Sequence, residues 1–215
     1  MQEPEYSVFR PEHRRYHLPR RIGSLGPYLP TTQVMDATGA LRYIREGNDT
    51  GYSTGSVTEM ERAVRWTRWV NALNAGRKWA RQRLFERLDA LLDTDIALIT
   101  VPSHDPFHTD PPIRDLAKLL AETPSRTDAT RCLIRHTKIK RISYGGPSYR
   151  TLHRETIRVE NIDLFAGRSV LLLDDIVRSG ASLRTCEELL YEAGAAFVQS
   201  FALGRVTATA GTGYV

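Results

Sequence analysis

Cysteine is scarce: Cys132 and Cys186 are the two in 215 residues. That excludes a disulfide scaffold and a four-ligand zinc site built from thiols, and reduced thiols are expected. Long hydrophobic runs are absent as well. Nothing approaches the ~18 apolar residues of a membrane span, and Met1-Gln2-Glu3-Pro4-Glu5 has neither a basic nor an apolar leader region, so no membrane association and a cytoplasmic address are expected. With 15 Gly and 11 Pro there is no excess of the kind that marks collagen or disorder. Neither charge sign dominates: 30 basic against 25 acidic residues leave +5, and a pI near 9.4 permits an anionic partner, a phosphorylated small molecule or nucleic acid, without choosing between them. What is present, 41% apolar and 26% charged residues, suits one globular domain with an appendage.

Residues 1–56 carry recurrent Pro and Gly, and turns and short strands are expected in this hood-like segment. Over 57–93 Met60, Val64, Val70, Leu73, Ala80, Leu84, Leu88 and Leu91 recur at helical spacing, which predicts a long amphipathic helix, with Gly76 as a point of breakage or bending. Its other face is rich in arginine. A solvated face is the preferred reading over a nucleic-acid stripe, and the surface of a homodimer is a further option. Residues 94–215 form the expected core. Asp95–Val101 reads as a buried strand, Pro111-Pro112 as the start of a helix, 123–154 as a charged loop with its ends tied down, and Ser169–Leu173 as a second buried strand ending abruptly at Asp174-Asp175. A helix stopped by Gly194 follows, then a strand over 196–203. Strand, helix, strand in about 35 residues is a βαβ unit, so the predicted class is α/β, a mostly parallel sheet flanked by helices.

The chemistry concentrates in Val170-Leu171-Leu172-Leu173-Asp174-Asp175-Ile176-Val177-Arg178-Ser179-Gly180-Ala181-Ser182. A buried parallel strand ends in two carboxylates at the edge where open α/β sheets bind ligands. The next turn sets one glycine between hydroxyl residues and opens a helix, so backbone N–H groups and the Ser179 and Ser182 hydroxyls can converge on one phosphate. No G-x-x-x-x-G-K-[ST] is present, which disfavours a nucleoside triphosphate loop. Carboxylates beside a phosphate cup would repel a bare polyanion. They suit sugar hydroxyls, or a Mg2+ bridge, and together with the cup describe a site for a ribose 5-phosphate.

This segment resembles the phosphoribosyl pyrophosphate (PRPP) motif of the type I phosphoribosyltransferases. The Val-Pro after the earlier strand, His153-Arg154 ahead of Gly167-Arg168, and Ala202-Leu203-Gly204-Arg205 are similar to the ComF-like members, without the cysteine-rich zinc module many of those carry. The resemblance implies a Mg2+-dependent transfer of the phosphoribosyl group from PRPP to an unidentified nitrogen acceptor, or a PRPP-sensing or DNA-handling accessory role. It implies that Asp174 and Asp175 bind the ribose hydroxyls, one of them reaching Mg2+ through water, and that Arg178, Ser179, Gly180, Ala181 and Ser182 hold the 5-phosphate. Arg178 either adds charge to the cup or faces solvent. Ser103 and His104 fall where family members contact pyrophosphate, although Asp105 places an acid in that loop. A closing loop over 136–154 would supply a catalytic cation, with Lys138, Lys140, Arg141 and Arg154 as candidates.

Other residues read more plainly as structural. Cys186 lies on an apolar helix face, His104 and His108 lack clear metal-binding partners, and Trp66, Trp69 and Trp79 at near-helical spacing suit packing better than base stacking. Tyr144 and Tyr149 either cover a base or anchor the loop.

Overall fold

The computed structural model describes residues 22–28, 31–35, 41–45, 57–139 and 147–206, with side chains described for 22–28, 63–139 and 150–206. Five strands form an all-parallel sheet: β1 (Gly23–Tyr28), β4 (Ile96–Thr100), β5 (Thr127–Asp128), β8 (Ser169–Val177) and β9 (Phe197–Val206). Their spatial order is β1-β9-β8-β4-β5. Two antiparallel pairs stand apart from it, β2 (Thr31–Met35) with β3 (Leu41–Arg45), and β6 (Leu133–Arg135) with β7 (Ile157–Val159).

Helices cover both faces because the central strands are apolar on both. Leu98, Leu171, Leu173, Phe201 and Leu203 pack against α1 (Val57–Asn74), α2 (Lys78–Asp89) and α3 (Pro112–Ala121). Ala97, Ile99, Val170, Leu172 and Ala202 pack on the opposite side against α5 (Ala181–Glu192) and the β6–β7 pair. α4 (Pro147–Thr156) runs beside α5, joined by ion pairs from Arg150 to Glu188 and from Arg154 to Glu192.

The expected α/β class, parallel and helix-flanked with a helical N-terminal extension, is what the chain forms. Several boundaries differ from expectation for physical reasons. The helical stretch over 57–93 is two helices, broken at Gly76, whose φ of 71° is left-handed. The strand expected to stop at Asp174 continues to Val177, because β9 still pairs with it at Ile176 and Val177. Much of the loop read over 123–154 is ordered as β5, β6 and α4; the two or three residues of β5 and β6 are too few to show a period. The β6–β7 pairing ties its two ends together, as expected.

The N-terminal segment contributes β1, the edge strand beside β9. Its glycines make room for the layer above: a Cβ on Gly26 would meet the Trp66 ring at 2.3 Å, and one on Gly23 would meet Phe201 at 2.6 Å. Trp66 is buried and lies edge-on to Trp69 with ring centroids 5.0 Å apart, the packing role expected of them, whereas Trp79, of which the same was expected, is exposed. Among the described residues no helix is long and apolar enough to cross a membrane.

Candidate functional site

The strand order locates a crevice. From β4 the chain passes through α3 to β5, on one side, while from β8 it passes through α5 to β9, on the other. The two connections therefore diverge above the C-terminal ends of adjacent strands, the switch point at which open parallel sheets take ligands. β4 stops at Thr100, opposite Leu173, and Val101 N donates to Leu173 O at 2.9 Å. Beyond that bond β8 runs on with β9 alone, so Asp174 and Asp175 stand where the neighbouring strand has ended.

Strand alternation sends the two acids different ways. Asp174 continues the face of Val170 and Leu172 towards α5. Its Oδ1 accepts from Asp175 N at 2.9 Å. Burial first, and then the charge of Asp175, hold the Asp174 carboxyl well above the usual carboxylate range. Asp175 turns towards the other face: Oδ2 accepts from Asn74 Nδ2 at 2.7 Å and Oδ1 from Ile176 N at 2.7 Å. Asn74, at the end of α1 and 101 positions away, has no sequence signature, and only the folded chain shows it to be part of this site.

The turn after β8 is built for close approach. Gly180 is the N-cap of α5 with φ 77° and ψ 10°, and a Cβ there would strike Ile22 Cδ1 at 2.4 Å. Arg178 and Ser179 are exposed, Ala181 and Ser182 half-buried. Gly180 itself offers no side-chain cap, and Ala181 N donates to the Ser179 hydroxyl in a long bond of 3.4 Å. The N-terminal end of α5, with its helix dipole, follows directly on the end of β8.

Across the crevice lies the β4–α3 loop. Ser103 is half-buried and His104 exposed. Asp105 accepts from Phe107 N at 3.0 Å and pairs with Lys138 Nζ at 2.6 Å; the Lys138 bond holds its carboxyl below the usual range. The acid that looked out of place in an anion loop is therefore neutralised by one of the expected loop cations. Ile139 N donates to His104 O at 3.1 Å and fastens the two segments together. Lys140 and Arg141, with Tyr144, lie outside the described residues. Arg154 does not belong to the site: it bonds Glu192 at 2.8 Å, at the far end of α5 from the phosphate turn.

Sequence reasoning missed Arg135. Its side chain is buried, 4% exposed. Nε donates to Ser103 O at 2.6 Å, one NH2 group to Thr156 Oγ1 at 2.6 Å, and the other lies 3.2 Å from His153 Nδ1. A guanidinium can only donate, so Nδ1 is the acceptor. Burial and the Arg135 charge push His153 down to about 4. The thiols are spectators: both are buried, and burial raises the Cys132 pKa to about 11 and that of Cys186 further. Among the described residues no group of three or more His, Cys, Asp or Glu is arranged to hold a metal.

No protein-family model matches the chain, and no curated protein matches it. It is similar to a solved structure described as the allosteric regulatory enzyme of purine biosynthesis, at 18% identity and a TM-score of 0.41, covering 79% of this chain and 34% of that one. The chain thus spans about a third of the length of that enzyme. It is also similar to orotate phosphoribosyltransferase of Mycobacterium tuberculosis H37Rv in complex with Fe(III) dicitrate, at 16% identity and a TM-score of 0.35, covering 81% and 76%. The architecture described above stands on strand order and register, independently of these likenesses.

Proposed function

We propose that the protein binds PRPP with Mg2+ and transfers its phosphoribosyl group to a nitrogen nucleophile, releasing pyrophosphate. The observation that carries this reading is the strand-end pair Asp174 and Asp175 followed within a few residues by a glycine-opened helix, at the crevice where β4 and β8 part.

In this reading the amides of Ala181 and Ser182 hold the 5-phosphate, and Gly180 lets them approach it. Asp174 accepts from a ribose hydroxyl, and Asp175, held by Asn74, steadies the same edge of the sugar. Ser103 and His104 face the diphosphate. Lys138 exchanges Asp105 for that diphosphate, while Lys140 and Arg141 are further candidate cations. The C1–O bond to pyrophosphate breaks and takes its electron pair with it, a C1–N bond forms, and the nucleophile releases its proton. Cation-like character at C1 makes a dry crevice with fixed charges the catalytic requirement.

The residues present fit a Mg2+ ion that keeps most of its waters and ligand oxygens. Two adjacent carboxyls, one of them raised by the other's charge, would be relieved by a divalent cation. When bound, the metal would neutralise charge on the diphosphate.

Titration calorimetry with PRPP and Mg2+ tests the site, and pyrophosphate release in the presence of nucleobases and small amines tests the transfer. Asp174→Asn with Asp175→Asn is expected to abolish both while the far-ultraviolet circular dichroism is retained. Unchanged PRPP affinity in that double variant would refute the assignment. One observation favours a binding-only reading, a PRPP sensor or accessory protein such as the ComF-like resemblance implies: Lys138 is already engaged by Asp105. PRPP binding without consumption of any acceptor would select it.

A further inference from the structure

A buried guanidinium is costly unless a counter-charge accompanies it. Arg135 is buried, and among the described residues its partners are neutral: the Ser103 carbonyl, the Thr156 hydroxyl and the His153 ring. Thr156 is itself tied back to Leu152 O at 2.6 Å, and the Cys186 thiol nearby is uncharged at neutral pH. Ion pairs surround other arginines here, as between Arg126 and Asp89 or Arg131 and Asp110, but among the described residues no carboxylate pairs with Arg135. The charge lies directly behind the loop that would receive the diphosphate, on the same face of the sheet as Asp174 and α5. One of its two shortest bonds, at 2.6 Å, is to that loop's backbone.

We infer that Arg135 is the built-in counter-charge for the diphosphate end of the ligand, a positioning residue that acts through the Ser103 carbonyl. The inference rests on the PRPP reading and deepens it. Three bonds fix the guanidinium, so its field is pre-oriented and needs no loop closure to arrive. Its donation to the Ser103 carbonyl also sets the peptide plane between Ser103 and His104. The amide of the next residue is thereby committed to the crevice side of the loop, where an anion can use it.

The test uses the full chain and two probes that occupy opposite halves of the site: Mg2+-pyrophosphate for the β4–α3 loop and ribose 5-phosphate for the α5 turn. Arg135→Gln is expected to weaken pyrophosphate by about tenfold or more, the loss of a charge-assisted contact, and to leave ribose 5-phosphate within about twofold. Arg135→Lys, which keeps the charge and loses the fork, should recover part of the pyrophosphate affinity. Should Arg135→Gln fail to fold, Thr156→Val frees one arm of the guanidinium and carries the same comparison, with an expected loss of about threefold for pyrophosphate alone. Pyrophosphate affinity unchanged in these variants overturns the inference. So does a parallel loss of both probes, which would make Arg135 a residue of the fold only. If the wild-type chain binds ribose 5-phosphate but not pyrophosphate, the inference falls while the phosphate turn stands; if it binds neither, the PRPP reading fails and the inference with it.

Discussion

His153 should make the protein acid-sensitive in a window that can be calculated. Its Nδ1 accepts from Arg135, 3.2 Å away. Protonation would remove that acceptor and set two cations against each other in a half-buried place. The folded-state value is about 4, against 6.5 for an ordinary imidazole. Between those values the unfolded chain binds a proton that the folded chain refuses, so stability falls as pH drops through the window, and the contribution linked to His153 is fully lost below about 4. At about 1.4 kcal/mol per unit the whole effect is about 3 kcal/mol, and about 2 kcal/mol of it is already expressed at pH ~5. His153→Asn keeps an oxygen acceptor for Arg135 without the basicity. Denaturant unfolding of both proteins at pH ~7 and ~5 isolates the histidine, since every other titrating group is shared. The wild type should lose about 2 kcal/mol more than the variant on acidification. Equal losses, within about 0.5 kcal/mol, would show that His153 is not held neutral and would refute the reasoning.

Other perturbations have definite signs. Asp174→Asn should raise the melting temperature at neutral pH while removing PRPP binding: the folded-state pKa is raised, so ionisation costs stability above the ordinary carboxyl value, and a neutral amide avoids that cost. A lower melting temperature would mean that the carboxyl is not penalised by its surroundings. Gly180→Ala should cost about 1–3 kcal/mol in chemical denaturation, because alanine meets both the left-handed φ and Ile22; a loss below about 0.5 kcal/mol would show that the turn relaxes freely. Arg126→Met should cost about 3 kcal/mol, since the buried Arg126 head joins Asp89 to the carbonyls of Leu92 and Leu120, and its removal takes a charged partner from Asp89, which among the described residues keeps only Thr123, and a donor from both carbonyls. An unchanged denaturation midpoint would rule out a role in fastening α2 to the sheet.

What the sequence disclosed follows the range of each interaction. β8, its carboxyls and the glycine that opens α5 are neighbours along the chain, so a thirteen-residue window contains strand, turn and helix cap together. Pro112 at the start of α3 and the positive-φ break at Gly76 are likewise local. β1 was not legible as part of the main sheet, because its glycines answer to Trp66 and Phe201, partners about 40 and 180 positions away. Arg154 looked like a loop cation because it is a basic residue in a basic stretch; its actual partner depends on α4 lying beside α5. Lys138 passes the same test of composition and does reach the crevice loop, through Asp105.

Asn74 and Arg135 show the same limit at the site itself. Each sits at the end of its own element, α1 or β6, with no motif around it, and each is brought to the crevice by packing of a layer on the sheet. Their placement has a common consequence. One neutral donor from the α1 face restrains Asp175, and one buried cation from the α5 face stands behind the loop opposite. The local motif therefore specifies where a sugar phosphate can sit, whereas the long-range contacts decide how charge is distributed on either side of it. In the proposed transfer that asymmetry is the useful part: acids face the sugar that becomes cationic, and the unmatched positive charge faces the group that departs with an electron pair.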